Sequence, residues 1–432
     1  MRILVVGNGG REHALLWKLH QDDPSAELFV TRGNGGTAPL AAAVPLDPTD
    51  AHALAGWAKA NQIDLTVVGP EAALAAGIAD VFSRHALPLF GPTKAATAIE
   101  ASKAYAKQLM TRAGVPTAQF RAFTELEAAE RYIGDHGGPL VVKASGLAGG
   151  KGALVCETTD QALAAARSIM RDAVFGSAGQ EIVVEEKLSG EELSVLAVTD
   201  GFDVACLMPA QDHKRLGEGD TGPNTGGMGV YAPVSVSSDA LLERVRTEVF
   251  LPTLTALRDD KRPFCGLLYA GLMLTDRGPH VIEFNARFGD PETQVVLPML
   301  ASSLLDLLMP VALGERIDRG SVAWRSGAAL TTVLAARGYP DAPETGKRIT
   351  LPTVVPSDVL VFHAGTKQVD GDVVTSGGRV IAVTGLGNDI AQAAERSRAV
   401  AAAIDFEGKY FRRDIGWREL GRGRGPSFNV QF

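Results

Sequence analysis

Over the first 92 residues the pattern of apolar and polar positions changes type at regular intervals. Short apolar runs (RILVV, ELFVT, DLTVVG, PLFG) alternate with segments of helical period: REHALLWKLH, a stretch around Ala51 to Ala60, and one around Ala72 to Arg84. Strands alternating with amphipathic helices predict a parallel, doubly wound sheet, which presents its chemistry at the carboxyl ends of the strands. Two such ends are polar and glycine-rich: GNGGREH (Gly7 to His13) and GPE (Gly69 to Glu71).

The pattern then predicts a helix from about Lys94 to Arg112, stopped by the Gly and Pro of AGVPTA. A small α/β unit follows from about 118 to 188. Beyond it come strands LSVLAV and DVACLMPA, a long polar loop QDHKRLGEGDTGPNTGGMG (211 to 229), and a helix near Ala240 to Leu257. Strands GLLYAGLMLT and HVIEFNARF come next. From about Gly327 short strands (TTVLAA, VLVFHAG, RVIAVTG) precede an alanine-rich helix. This divides the chain into an N-terminal domain (1–102), a central region (103–325, with a small unit at about 118–188 and a larger one at about 189–325) and a β-rich C-terminal domain (326–432).

The length of 432 residues agrees with about three domains, and 46% apolar residues suffice to fill them. A net charge of −8 argues against a basic surface held to nucleic acid, so the local lysines are expected to serve small anions. Cys156, Cys206 and Cys265 stand far apart in apolar runs and read as buried thiols, without a disulfide framework or zinc site. That suits a reducing cytoplasm. MRILVVG is too short an apolar run for an export signal and reads as a strand. The apolar stretch 295 to 314 carries Asp306 and two prolines and reads as a core helix rather than a membrane span. No downstream module is expected after Phe432, hence a single activity.

Candidate chemistry gathers in four places. KASGLAGGKG (Lys143 to Gly152) joins two strand-like runs, PLVV and ALVCET. It lacks the Ser/Thr and the following helix of a Walker loop, but a glycine-rich connection can lay backbone N–H groups over a polyphosphate. GNGGRE has Glu12 where a dinucleotide fingerprint needs its third glycine. A nest for a phosphate monoester with Arg11 remains open there, beside the plainer reading of a turn needed for helix–sheet packing. In HVIEFNARF, strand alternation turns Glu283, Asn285 and Arg287 to one side and Ile282, Phe284 and Ala286 to a core. A carboxylate and an amide oxygen spaced by two are hard ligands for Mg²⁺ or Mn²⁺ bridging phosphates. The following FGDPETQ offers Asp290 or Glu292 to orient Arg287. Finally, EEKLSGEELS reads as a hinge between strands or a plain acidic hairpin.

Taken in order, SK at 102–103, VVKASGLAGGKG, VVEEKLSGEELS, QDHKRLGEGDTGPNTGGMG and VIEFNARFGDPETQ resemble the signatures of the ATP-grasp enzymes, and within them of the phosphoribosylamine–glycine ligases. With GNGGREHAL the resemblance spans essentially the whole chain. It implies an N-terminal substrate domain, ATP-grasp central domains and a small β-rich C-terminal domain. It also implies ATP-dependent joining of glycine to 5-phosphoribosylamine through a glycyl phosphate, the second step of purine synthesis. KASGLAGGKG would then be a phosphate lid, with Gly149, Gly150, Lys151 and Gly152 over ATP and Lys103 and Lys143 on its phosphates. Glu185, Glu186 and Leu188 would hold adenine and Glu192 ribose, while Glu283 and Asn285 would hold Mg²⁺ or Mn²⁺. Arg287, Asp212 and Lys214 would be catalytic. Gly9, Gly10, Arg11, Glu12, Glu71, His213, Gly227, Met228 and Asp290 would hold the substrates. Its partners would be those small molecules, with neither nucleic acid nor membrane, and the chain a monomer or at most a weak dimer. Two departures stand out: Ser145 replaces an aspartate of the lid, and GLLYAGLMLT lacks an acidic metal ligand. A nicotinamide oxidoreductase would rest on GNGGRE alone. A non-catalytic ATP-binding module, or a ligase using another acceptor, are the remaining alternatives.

Overall fold

The computed structural model describes residues 1–422, so the last ten positions assigned to the third domain lie outside the described residues. The N-terminal sheet is parallel, in the order Ala42–Val44, Glu27–Thr31, Arg2–Val6, Leu65–Val68, Leu89–Phe90. Leu65–Val68 is buried throughout, as a central parallel strand covered on both faces must be. It pairs with Arg2–Val6, so Gly7 and Gly69 leave adjacent strands side by side. The edge strand Ala42–Val44, too short for a periodic signal, was not expected.

The helix expected over Lys94 to Arg112 is two, Lys94–Ala101 and Lys103–Ala113. Ser102 breaks it with extended dihedrals and accepts from Tyr105 N–H. Ser145, at the base of the glycine-rich loop, supports the break: its Oγ accepts from Ala104 N–H at 3.1 Å, and its carbonyl from Lys103 N–H at 2.8 Å. A small hydroxyl at 145 therefore serves the helix start, where a carboxylate was the familiar residue.

The small central unit is an antiparallel sheet, ordered Phe120–Phe123, Ile182–Glu186, Leu140–Ala144, Ala153–Cys156, backed by helices Leu126–His136 and Thr159–Met170. Lys143 lies opposite Ala153, which makes KASGLAGGKG a hairpin connection. The larger sheet runs Val204–Cys206, Glu191–Thr199, Gly266–Thr275, Gly278–Asn285. Between the two units Gly190 adopts φ 157°, and a Cβ there would lie 2.1 Å from the carbonyl oxygen of Leu274, so only glycine fits this turn.

The third sheet differs from expectation in its membership. It is ordered Gln211–Asp212, Gly229–Ala232, Ala328–Ala335, Arg379–Gly387, Val359–His363, and so takes strands from both sides of position 326. The stretch 211 to 229 is not structureless either. It holds a hairpin, Arg215–Gly217 with Thr221–Asn224, pinned by the fully buried Arg412 through Asp220 and the Arg215 carbonyl. The apolar stretch near 295–314 forms two short buried helices, Thr293–Met299 and Leu304–Ala312. Among the described residues no helix is long and apolar enough to cross a membrane.

The first and last domains are clasped by two histidines. His363 N–H donates to His13 Nδ1 at 2.9 Å, and Asn34 Nδ2 donates to the His363 carbonyl at 2.8 Å. Burial, with the neighbouring His363, lowers the pKa of His13 to about 3, and burial lowers that of His363 to about 4. Both rings are neutral when folded, whereas the unfolded chain binds protons below about 6.5. Their stability contribution is therefore full above pH 6.5 and is lost as pH falls toward 4 and below. The unfolding temperature should drop across that window, and drop less in His13→Gln, which keeps an acceptor for the His363 N–H. An unchanged slope in the variant would remove the clasp from this account.

Candidate active site

A cavity of about 580 Å³ opens where the three domains meet. Its first wall is the end of Gly278–Asn285. Gly271 pairs with Glu283 and Leu272 with Val281, so Ile282 is an extra residue in a β-bulge. Strict alternation put Ile282 in the core; the bulge instead turns both Ile282 and Glu283 to the cavity. Asn285 and Arg287 follow on the same wall, while Phe284 and Ala286 pack into the core.

Arg287 takes its charged partners from the N-terminal domain and one bond from its own loop, Nη1 to the Phe288 carbonyl at 3.2 Å. Its Nε donates to Glu71 Oε2 at 3.2 Å, and its Nη2 lies 3.4 Å from Glu100 Oε1 and 3.3 Å from Asn285 Oδ1. Burial would raise the pKa of Glu71, but Arg287 and Arg11 outweigh it and hold the group at about 2. Burial leaves Glu100 raised even so, and its Oε2 accepts from Ala286 N–H at 2.7 Å. Asp290 and Glu292, expected to orient Arg287, are carried past it by the Pro291 turn. Asp290 pairs with Arg379 at 2.8 Å, and Glu292 accepts from Tyr269 Oη at 2.8 Å and Ser194 Oγ at 3.1 Å.

Facing this wall are the lysines. Lys103 Nζ donates to the Gly146 carbonyl and Lys143 Nζ to the Ile282 carbonyl, each at 3.1 Å. Burial, reinforced by Lys143, lowers the pKa of Lys103 despite the pull of Glu283. A bound polyphosphate would reverse that. Glu185, also in the lining, is engaged by Lys107 at 2.6 Å and by Lys143, so its carboxylate sits between the two lysines. Glu186 accepts from Gln119 N–H at 3.1 Å and, with Leu188, Met273 and Ile282, lines the less polar end of the cavity. Glu192 meets Lys214 Nζ at 3.1 Å, and the same ammonium lies 3.8 Å from Glu283.

Gly149, Gly150 and Gly152 roof this space, the first two at φ 57° and 77°. Lys151 does not reach it: its Nζ donates to the Pro340 carbonyl at 2.5 Å, outside the cavity lining. The anticipated phosphate nest at GNGGRE is filled by the chain itself. Glu12 Oε2 accepts from Gly9 N–H at 2.6 Å, and a Cβ at Gly69 would lie 1.9 Å from Glu12 Oε1. Gly10 packs against Gln294, where a Cβ would come within 2.8 Å of Nε2. Of this motif only Arg11 lines the cavity, tied to Glu12 at 2.7 Å and to the Phe288 carbonyl at 3.0 Å.

The 211 to 229 stretch divides by strand alternation. Asp212 faces the cavity with its buried Oδ1 unpartnered, and burial together with Glu292 raises its pKa well above the usual range. His213 points the other way, accepting from Gly416 N–H at 3.2 Å, and burial and Arg412 lower its pKa to about 4. Met228 is wholly buried in the core, and Gly227 packs beneath Asp212, a Cβ there lying 2.7 Å from Oδ1. Neither His213 nor Met228 is placed to touch a substrate. Instead Gly226, Thr225 and Arg379 line this side. Sequence reasoning missed Glu100, Lys107, Tyr269 and Arg379. A carboxylate on the buried face of Lys94–Ala101 was a legible signal for the first. Nothing local marks Arg379.

The donor set suits a divalent cation shared with a substrate. Burial would raise the pKa of Glu283, but Lys214, Lys143 and Lys103 lower it on balance, so it is ionised. Among the described residues no cluster of three or more His, Cys, Asp or Glu side chains is gathered for a metal. Glu283 and Asn285 alone leave coordination positions for phosphate oxygens and water, which is how Mg²⁺ is commonly held in phosphoryl-transfer sites.

Family models described as phosphoribosylglycinamide synthetase match the chain over residues 1–100 (N domain), 101–293 (ATP-grasp A domain) and 329–418 (C domain). A phosphoribosylamine–glycine ligase of Nostoc sp. is 49% identical over 97% of this chain and 99% of its own length. One from Vibrio parahaemolyticus is 45% identical over 98% and 99%. The crystal structure of the Thermotoga maritima phosphoribosylamine–glycine ligase matches with TM-score 0.84 and 34% identity, covering 96% of this chain and all of that one. A Hydrogenobacter thermophilus biotin carboxylase domain, crystallised with MgADP, shares the fold at TM-score 0.71 and 17% identity over 95% of this chain and 91% of that one.

Since Glu12 fills the cradle beneath the first strand, Glu12→Ala should strip Gly9 N–H of its acceptor and leave Arg11 buried without its nearest counter-charge. A loss of about 2 kcal/mol in unfolding free energy is expected, with ATP affinity at the wild-type level. Weakened ATP binding at unchanged stability would instead place Glu12 in the site.

Proposed function

The chain belongs to the phosphoribosylglycinamide synthetase family, and from this we propose how its cavity performs the family's reaction and which residues carry it. The chain is an ATP-dependent carbon–nitrogen ligase joining glycine to 5-phosphoribosylamine in purine biosynthesis. The observation that carries the assignment of roles is one wall bearing Glu283, Asn285 and Arg287, opposed by Lys103 and Lys143 under a glycine roof.

A carboxylate is a poor acylating agent, so a glycine oxygen first attacks the γ-phosphorus of ATP; ADP leaves and glycyl phosphate forms. Lys103 and Lys143 stand as point charges beside the transferred group, and positioning with charge neutralisation is most of what phosphoryl transfer requires. Glu283 and Asn285 would hold a divalent ion, Mg²⁺ or Mn²⁺, which would supply charge neutralisation to the transferring phosphoryl group. Glu185, fixed between Lys107 and Lys143, orients the second lysine. Adenine fits the end lined by Glu186 and Leu188, and ribose the neighbourhood of Glu192.

The amine of phosphoribosylamine then attacks the acyl carbon, the C–O bond to phosphate breaks, and the nitrogen loses a proton. Arg287 holds the glycine carboxylate and then the oxyanion. Glu71 and Glu100 keep its guanidinium aimed; burial would lower its pKa, but the charges of Glu100 and Glu71 outweigh that and leave it a permanent cation. Asp212, with an unpartnered oxygen, offers an acceptor to an ammonium or amine hydrogen at this end. Lys214 braces Glu192 and Glu283. Arg11, Glu71, Asp290 and Gly226 border the space left for the ribosyl phosphate. The same reading takes the chain as a cytoplasmic monomer. Cys156, Cys206 and Cys265 are free thiols whose pKa values burial raises, which suits a reducing compartment.

ADP release should require glycine and freshly generated phosphoribosylamine together, and alanine should not replace glycine. ADP formed with either one omitted, or never formed while ATP binds, would reject these substrates. In Arg287→Ala the turnover number should fall by about 100-fold, the ~3 kcal/mol typical of an oxyanion donor, with ATP affinity little changed. Equal losses of both would take the oxyanion role from Arg287.

A further inference from the structure

Lys151 has the wrong address for a phosphate ligand. It belongs to the glycine-rich roof, yet its ammonium leaves the cavity and docks on the Pro340 carbonyl of the C-terminal domain. The adjacent Tyr339 uses its hydroxyl to accept the Gly226 N–H at 2.9 Å, and Gly226 borders the acceptor end of the cavity. Arg379 then takes the Gly226 carbonyl and the Asp290 carboxylate. Across the cavity mouth the roof meets the same loop: a Cβ on Gly150 would lie 3.9 Å from the Thr225 carbonyl. One short segment, Tyr339–Pro340, thus touches the roof over ATP on one side and the acceptor loop on the other.

We propose that Lys151 is a positioning residue that latches the phosphate lid to the Tyr339–Pro340 segment, so that closure over ATP and ordering of the Gly226 loop occur as one event. The inference rests on the ligase reading above and adds a coupling to it. The chemistry gives the coupling a purpose. Glycyl phosphate made under a lid that closes while the acceptor loop is loose would be lost to water, with ADP released and no product. A lysine serves here because its ammonium can reach a backbone carbonyl in another domain on a flexible stem, without inserting charge into a space where Lys103 and Lys143 already stand.

The test compares wild type with Lys151→Met, Lys151→Arg and Tyr339→Phe, measuring ADP and ligated product in the same reaction and ATP affinity separately. Wild type should give one ADP per product. Lys151→Met and Tyr339→Phe should release ADP in clear excess over product at nearly unchanged ATP affinity, and Lys151→Arg, which still donates to Pro340, should restore the ratio. A Lys151→Met enzyme that keeps the ratio at one while binding ATP about tenfold or more weakly would make Lys151 a phosphate ligand and overturn the latch. A variant indistinguishable from wild type would overturn it too. Hydrogen exchange with a non-hydrolysable ATP analogue separates this from failure of the substrate assignment. Binding should protect both residues 146–152 and the Gly226 amide in wild type, and Lys151→Met should lose both protections, whichever acceptor the enzyme uses. Loss of lid protection alone would refute the coupling.

Discussion

A guanidinium cannot be buried without partners, and Arg287 takes its partners from another domain. Glu71 follows a strand of the N-terminal sheet and Glu100 lies on the helix leading out of it, while Arg287 stands two residues past a strand of the central sheet. None of the three is stable in its place alone, because each charge pays a desolvation penalty that only the others offset. The cavity is therefore an electrostatic joint before it is a binding site. Its walls stay apart because side chains meet across them in matched pairs, and the groups left over, Lys103, Glu283 and Asp212, are those that a charged substrate must satisfy.

The same logic repeats at smaller scale. Lys107, Glu185 and Lys143 form one chain of alternating charge, and Glu192, Lys214 and Glu283 another. All six line the cavity, and in each row the central member holds the outer two in place. A site meant for ATP, a metal and two further substrates has to be preorganised for negative charge without collapsing on its own carboxylates. These alternating rows achieve that.

Much of this was legible in the sequence. Periodicity revealed the doubly wound sheet, and the glycine-rich hairpin and the Glu283, Asn285, Arg287 wall followed from runs of residues whose spacing has a local meaning. What was not legible depended on contacts distant in sequence. Ile282 reaches the cavity because its partner strand is one residue shorter across the bulge, which no alternation rule registers. The GNGGRE turn looked available for a phosphate because the motif does not show that Gly7, Gly9 and Gly69 make room for the Glu12 carboxylate. His213 was grouped with Asp212, and Met228 with Gly227, as members of one loop, although strand geometry sends neighbours to opposite faces. Arg379 arrives from a region nearly ninety residues beyond its partner Asp290.

The interleaved third sheet bears on how such a chain can change over evolutionary time. Two of its five strands, Gln211–Asp212 and Gly229–Ala232, come from the segment that borders the acceptor end of the cavity, and the other three from beyond residue 326. A recombination joint between the central and final regions would have to match strand register as well as linker length. The C-terminal region is consequently a poor unit for shuffling, and variation in what this architecture joins to its activated acid should be found as substitutions and loop insertions rather than as the exchange of whole modules.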